Sequence, residues 1–556
     1  MQIIFGLIKQ LFYWILHRVI ARRDSRNRTA KWFPTCFGRN FLYDSLFPEE
    51  SGRAYFTKYH AEKPGNPLAV DFKRYKMDIL KGRLLTTGQW YRLQVKTPSA
   101  LPIAVTGVDI TQPGKYFNAT IRCCGRDLNL GGLVADRYYY LPIREPGEVE
   151  IKSDQRLVVA DPLPLTQVRR HKLKLVLVLF VDNFSWDILG HLDFARDLPN
   201  LHRFFSKGVM FDNCHSSSNW TLTGVGSLVS GKTASNHGMI HSVDEGVFLG
   251  EGYRVLPEYF QEKGYMTFQV CSNPRKSPAY RYVRGFDRTV YKMEMSLSEM
   301  IGVMLDHLRA FPDRDHFVWT SILDAHHSLA GVPDIANQLS VPLEAHDYSS
   351  PQKKSPFKLA ADESARQRYV MELKRIDFFL GPIFDWILSQ YDDEEILVTL
   401  ISDHGTGVIT SDPHELSHQK THVPLMLRGT NLPAGRRTDE IVQNTDVLPS
   451  ILNLAGLVSS NIIDGQVPAI LGGHKKRLWV LSESKFPGKK YRATIKDSQF
   501  EFYFESDSLV GEKGQFSADR YHTELFRIKD WSRDVSAENP DVVRDFTAKI
   551  LSHLNH

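Results

Sequence analysis

Apolar and polar positions follow three different rhythms along this chain. Between about residues 43 and 168, short runs at 90–95, 103–105, 116–122, 138–141, 149–151 and 157–159 are broken at close intervals by Gly and Pro, which predicts an antiparallel β-sandwich. After a basic, Pro-containing connector at 161–172, the run 173–181 is apolar almost throughout, as in a strand buried on both faces of a parallel sheet. Further such runs at 266–270, 317–323, 396–401 and 423–427 alternate with helical spacing at 198–207, 253–263, 296–310, 369–391 and 447–457. The alternation predicts an α/β layered fold with a mostly parallel central sheet. From about Arg477 the rhythm changes again, with strands at 491–495 and 500–504 and a closing helix at 540–554, a small α+β subdomain. The resulting division is 40–168 for the sandwich, 172–475 for the α/β unit and 476–556 for the subdomain.

Residues 1–30 stand apart. Met1 to Ile20 is rich in Ile, Leu, Phe, Tyr and Trp, and Arg22, Arg23, Arg26 and Arg28 follow. Lys9, Gln10, His17 and Arg18 interrupt the stretch and no basic residue precedes it, so neither a cleavable signal peptide nor a full membrane span fits. On a helical wheel Gln2, Gly6, Lys9, Gln10, Tyr13 and His17 share one sector, the pattern of an amphipathic helix. Such a helix lies in a membrane surface, its arginines meeting anionic headgroups, or docks on the protein's own body. Residues 1–28 are therefore the expected membrane contact, and a cytoplasmic or membrane-peripheral location is favoured.

A net charge of +5 over 556 residues, with no basic-aromatic block in the body of the chain, argues against a nucleic-acid partner. The five cysteines, Cys36, Cys123, Cys124, Cys214 and Cys271, are odd in number and form no CxxC pair, so neither a disulfide framework nor a structural cysteine-zinc site is expected. The oligomeric state is not legible.

The chemistry concentrates in four stretches far apart in sequence: Val181-Asp182-Asn183, Asn219-Trp220-Thr221, Asp324-Ala325-His326-His327 and Ser402-Asp403-His404-Gly405. Asp182, Asp324 and Asp403-His404 each follow an expected strand, and ligands of open α/β sheets gather at the carboxyl ends of strands. A lone strand-end aspartate is often an Asx turn or a helix cap. Two polar groups together at a buried strand end, as in Asp403-His404, are harder to assign to structure alone. Asp182, Asp403 and His404 as ligands, with the Thr221 hydroxyl completing the set, make a site for one divalent metal; Mn or Zn suits the nitrogen ligand better than Mg or Ca.

The ordered set Val181-Asp182, Ser227-Leu-Val-Ser-Gly-Lys232, His237-Gly-Met, Gly264-Tyr-Met-Thr267, Asp324-Ala-His326, Ser402-Asp-His-Gly405, Val423-Pro-Leu and Asp446-Val-Leu-Pro-Ser resembles the sulfatase branch of the alkaline phosphatase superfamily, from about Lys172 to the C-terminus. That branch includes phosphonate monoester hydrolases and phosphoethanolamine or phosphoglycerol transferases. True sulfatases carry Cys-x-Pro-Ser-Arg, whose cysteine becomes formylglycine. Counting back from Ser227 places Thr221 at that cysteine, with Gly224 and Val225 at the serine and arginine. The resemblance thus implies a threonine nucleophile and turns the expectation from sulfate toward phosphate.

It further implies that His326 holds the substrate anion, with His327 beside it. Asn183 stands where many sulfatases have a second aspartate, and Asn183 and Lys232 are expected substrate contacts. His414, His418, Lys420 and His422 form a cationic cluster before Val423. His414 and Lys420 are expected to bind substrate and His418 is assigned as the acid, although spacing leaves open which histidine faces inward. The expected function is a metal-dependent phosphodiesterase or phosphotransferase acting on an anionic ester, carried on a glycan or a lipid. The alternatives are a sulfuric ester hydrolase without formylglycine and an inactive sulfatase-like glycan- or lipid-binding protein.

Overall fold

A computed structural model of the chain describes residues 54–57, 76–105, 116–134, 138–167, 171–240, 249–276, 278–327, 363–460 and 462–554. The helix expected at 1–30, and the membrane contact expected of it, lie outside these residues. Among the described residues no helix is long and apolar enough to cross a membrane.

One large sheet runs through the molecule. Its strands are β1 (Met77–Leu85), β2 (Leu175–Val181), β3 (Val209–His215), β4 (Met266–Cys271), β5 (Arg288–Tyr291), β6 (His316–Ile322), β7 (Ile396–Ile401), β8 (His422–Gly429) and β9 (Arg436–Thr438), in the spatial order β1-β5-β4-β6-β2-β7-β8-β3-β9. β2 sits between β6 and β7, parallel to both, and every residue of the three is buried. The continuous apolar runs reflect that double burial. The expected strand at 423–427 forms as β8 but runs antiparallel to both β7 and β3.

Helices cover both faces, each burying an apolar stripe against the sheet. On one side Leu297–Ala310 and Glu363–Gln390 pack Met300, Met304, Leu373, Ile376 and Phe384 against alternate residues of β2, β6 and β7. On the other lie α1 (Thr221–Ser230), Leu256–Glu262 and Val447–Leu454, contributing Leu222, Val225, Phe260, Leu448 and Ile451. The helix α1 is a correction to the sequence reading, which placed motifs here but no helix. Its two glycines and two threonines have low helix propensity, and burial of the whole segment overrides it.

The sandwich forms, but it is not separated from the central sheet. One of its layers, with Ser99–Val105 and Leu157–Ala160, reaches the central sheet through β1, which pairs antiparallel with β5. The second layer comprises Tyr91–Val95, Gly147–Ser153, Phe117–Cys123 and Arg126–Leu133, and Val95, Ile103, Ile121 and Ile151 fill the space between. Asp78 on β1 pairs with Arg288 on β5 in fork geometry, 2.9 Å at both oxygens, and accepts the Tyr140 hydroxyl at 2.8 Å. Residues 480–527 form a four-stranded antiparallel sheet against which Phe546 and Ile550 of the helix Pro540–Leu554 pack. That subdomain is tied to the α/β unit beside α1, where Glu483 N donates to Ser217 O at 2.9 Å and the Ser482 hydroxyl to Ser216 O at 2.7 Å.

Candidate metal centre and active site

β2 and β7 end side by side, so the first residues beyond them, Asp182 and the Ser402-Asp403 pair, enter one buried space. Asn183 turns the chain away from β2 in the left-handed region at φ 65°, a conformation asparagine tolerates better than most residues. Its backbone N–H donates to Asp403 Oδ1 at 3.2 Å, locking the two loops together. His404 N donates to the same oxygen at 3.0 Å.

Two of the remaining three carboxylate oxygens are left open. Asp182 Oδ2 accepts from Thr221 Oγ1 at 3.2 Å and from Asn273 Nδ2 at 2.5 Å, but Asp182 Oδ1 and Asp403 Oδ2 are buried with no hydrogen-bond partner. His404 Nε2 lies 3.7 Å from the first and 3.5 Å from the second. Its other nitrogen, Nδ1, meets the Gly405 carbonyl at 2.8 Å, which seats the ring proton there and leaves the Nε2 lone pair facing the carboxylates. Thr221 Oγ1 completes the group 3.4 Å from His404 Nε2.

Ligand atoms of Asp182, Asp403 and His404 all lie within 4.8 Å of one another. Two carboxylates, one imidazole lone pair and a hydroxyl fit a divalent cation, and the two orphaned oxygens are its natural contacts. Burial raises the pKa of Asp182, and burial with the neighbouring Asp182 charge pushes Asp403 up to about 6. Burial disfavours the charged form of His404, but the two carboxylates outweigh it and raise its pKa. The two buried carboxylates thus resist ionisation unless a positive charge stands between them. Asn183 adds a buried carboxamide whose two polar atoms have no hydrogen-bond partner.

Thr221 is the first residue of α1, whose unpaired N–H groups and positive dipole end favour an anion beside the hydroxyl. The helix approaches so closely that Gly224 touches the Asp403 backbone.

The other expected site residues are dispersed. Asp324, His326 and His327 form the short helix after β6, at the same sheet edge as Asp182 because Ile322 and Val181 are in register. Asp324 is paired with Arg375 and accepts from Leu297 N at 3.3 Å.

Lys232 is a correction. It follows the far end of α1, roughly 15 Å from Thr221 along the helix, and its ammonium lies 5.9 Å from the Tyr253 ring centroid. Lys420 is another correction as a substrate contact, because its buried ammonium donates to the carbonyls of His414 at 2.8 Å and Asp412 at 3.2 Å, pinning the loop between. His414 is held between Asp412 Oδ1 at 2.6 Å and Glu524 Oε2 at 3.2 Å, on the rim of a cavity of about 580 Å³ shared with Arg492 and Tyr503. His418, assigned as the acid, instead packs against His215, His422 and Asp187.

The sequence reading missed Asn273, the partner of Asp182. No local signal marks it, since a Ser-Asn-Pro turn after a strand is ordinary.

Residues 174–457, just over half of the chain, match the family model described as Sulfatase. A sulfatase of Formosa agariphila is 31% identical over 94 residues, covering 16% of this chain and 18% of that protein. The N-acetylgalactosamine-6-sulfatase of Canis lupus familiaris is 24% identical over 353 residues, covering 54% of this chain and 66% of that protein. The chain thus spans less than two thirds of either curated relative. Among solved structures, the phosphonate monoester hydrolase of Silicibacter pomeroyi shares the fold at TM-score 0.53 and 16% identity, over 68% of this chain and 95% of that one. The chain belongs to the sulfatase family.

Proposed function

We propose that this protein is a metal-dependent hydrolase or transferase of phosphate esters that works through Thr221. The observation that carries the reading is the seat of the Thr221 hydroxyl at the N-terminus of α1, 3.2 Å from Asp182 Oδ2 and 3.4 Å from His404 Nε2. Asp182, Asp403, His404 and Thr221 would hold one divalent cation, which would supply the positive charge that makes a hydroxyl nucleophilic near neutral pH and would offset the charge of the transferring group.

Thr221 Oγ1 attacks phosphorus, and its proton passes to the carboxylate of Asp182, which already accepts its hydrogen bond. The bond from phosphorus to the leaving oxygen breaks, and His326 at the same sheet edge protonates the departing alcohol. Water or an acceptor hydroxyl then attacks the phosphothreonine and gives its proton to His326, while the bond from phosphorus to Oγ1 breaks and Thr221 takes back the proton held by Asp182, which restores all three residues. The α1 N-terminus and the Asn183 carboxamide hold the equatorial oxygens. The sandwich, joined edge to edge with the catalytic sheet, offers the surface for a glycan or lipid-linked carrier.

A sulfate-ester reading draws support from the curated relatives, both named sulfatases. A threonine at the formylglycine position speaks against it.

Turnover of matched aryl phosphate diesters and aryl sulfates, with mass spectrometry of Thr221-containing peptides, tests the reading. Phosphate turnover that Thr221→Ala abolishes, with a phosphoryl adduct on Thr221, is expected. Faster Thr221-dependent sulfate turnover, or full activity of Thr221→Ala, overturns it.

A further inference from the structure

Beside this centre lies a second group of metal-ligating side chains that the proposed chemistry does not use. Asp187, His418 and His422 bring one ligand atom each to within 4.8 Å of one another. Asp187 stands in the 3-10 turn after β2, His418 opens the short helix His418–Thr421, and His422 begins β8. A third imidazole, His215, is the register partner of His422 across β3 and β8, with ring centroids 5.1 Å from both His418 and His422.

The hydrogen bonds at the rim determine what the interior offers. His422 Nε2 meets the Asp212 carbonyl at 2.8 Å, so it carries a proton, and in the neutral ring Nδ1 presents a lone pair. That lone pair faces Asp187 Oδ2 at 3.1 Å, outside hydrogen-bond geometry, and Oδ2 has no other hydrogen-bond partner. His215 Nε2 is likewise occupied by Asn213 Oδ1 at 2.8 Å, and its Nδ1 is buried without a hydrogen-bond partner. His418 is only 3% exposed, and neither of its ring nitrogens has a hydrogen-bond partner; Nε2 lies 3.6 Å from Asp187 Oδ2. Outside the group, Lys529 Nζ lies 3.5 Å from Asp187 Oδ1, leaving Oδ2 as the inward oxygen. Buried acceptors facing one another without donors are costly, and a cation between them removes the cost.

We propose that Asp187, His418 and His422 bind a zinc ion that is structural and separate from the Asp182–Asp403–His404 centre. Two imidazoles and a carboxylate in a buried pocket suit zinc, with His215 adjacent to the fourth position. The ion ties the loop after β2 to the helix 418–421. That helix in turn holds both catalytic loops, since Gly405 N donates to Lys420 O at 2.8 Å and the Ser185 hydroxyl to Gln419 O at 3.0 Å. The Asp212 carbonyl, which fixes the ring proton of His422, and Asn213, which does so for His215, are the outer shell expected of metal-bound imidazoles.

The proposal is independent of the phosphate-ester reading and is tested without activity. Full-length protein is loaded with zinc, freed of excess metal by gel filtration and assayed for zinc per chain, alongside Asp182→Asn/Asp403→Asn and His418→Gln/His422→Gln variants. Zinc K-edge absorption of the Asp182→Asn/Asp403→Asn protein then counts imidazoles per ion. Two ions in the unmodified protein, one in each double variant, and two imidazoles per ion in the Asp182→Asn/Asp403→Asn protein are expected. If a variant does not fold, zinc per chain and zinc K-edge absorption of the unmodified protein decide: two ions, or one ion with two imidazoles, support the proposal, and no ion or one ion with a single imidazole overturns it. Unchanged zinc in folded His418→Gln/His422→Gln protein, or an Asp182→Asn/Asp403→Asn protein holding none, also overturns it.

Discussion

Gly224 of α1 lies flush against the chain at Asp403: a Cβ placed at Gly224 would stand 2.6 Å from the Asp403 carbonyl oxygen and 3.0 Å from its Cβ. The glycine where sulfatases carry a serine is therefore a packing requirement here. It lets the helix that carries Thr221 meet the strand end that carries Asp403.

Gly224→Ala should consequently push Asp403 and α1 apart. The expected cost is about 1–3 kcal/mol of stability and, because an ångström of misplacement is severe in an active site, roughly a hundredfold loss of kcat. Denaturant unfolding and steady-state kinetics on the same preparation measure both. An unchanged kcat would show that the contact gives way freely.

Asn273 orients Asp182 by donating to Oδ2 at 2.5 Å, which leaves Oδ1 for the cation. Asn273→Ala should weaken metal binding at this centre about 10- to 100-fold while leaving the fold intact. Titration of metal-stripped protein, followed by calorimetry, checks it. Removing metal with a chelator should abolish turnover of both proteins, and a higher metal concentration should be needed to restore the variant.

Lys276 is fully buried, its ammonium 4.9 Å from the Trp319 ring centroid and hydrogen-bonded to Gln269. Burial pushes its pKa down to about 7 from an ordinary 10.5. Between those values the unfolded chain binds a proton that the folded chain does not, so this group makes stability rise with pH across that window. Lys276→Met should remove that rise and stabilise the protein at pH 6 by about 1–4 kcal/mol. Melting temperatures of both proteins at pH 6 and pH 9.5 give the comparison, and equal gains at the two values would refute it.

The Asp78–Arg288 pair joins the sandwich to the central sheet, with both side chains less than one fifth exposed. Asp78→Asn leaves Arg288 with half its fork and should cost about 1–3 kcal/mol in urea unfolding. Because the sheet is continuous through β1 and β5, a single transition is expected to move as a whole. Loss confined to a separate early transition would show the sandwich to be an independent unit.

Much of the architecture was legible because it is local. Strands buried on both faces read as largely apolar runs, so β2, β4, β6 and β7 were placed, and with them Asp182, Asp324 and Asp403 at one edge. The bridging strand β1 was not read, since Met77–Leu85 is interrupted by Asp78, Lys81, Gly82 and Arg83. Nor was α1, whose small residues suit close packing rather than helix propensity.

The sequence by itself determined the layered fold, the strand ends that carry chemistry and the types of ligand available there, because periodicity and chain order express these directly. Only the tertiary structure decided which groups share a pocket. The Asn183 amide and the Asp403 carboxylate meet across 220 residues of chain. Lys232 is carried off along α1 and Lys420 is spent on carbonyls, while His418 faces Asp187 and two other imidazoles. Side-chain direction depends on what packs against it, and for these residues the packing partners come from distant segments whose arrangement no local pattern records.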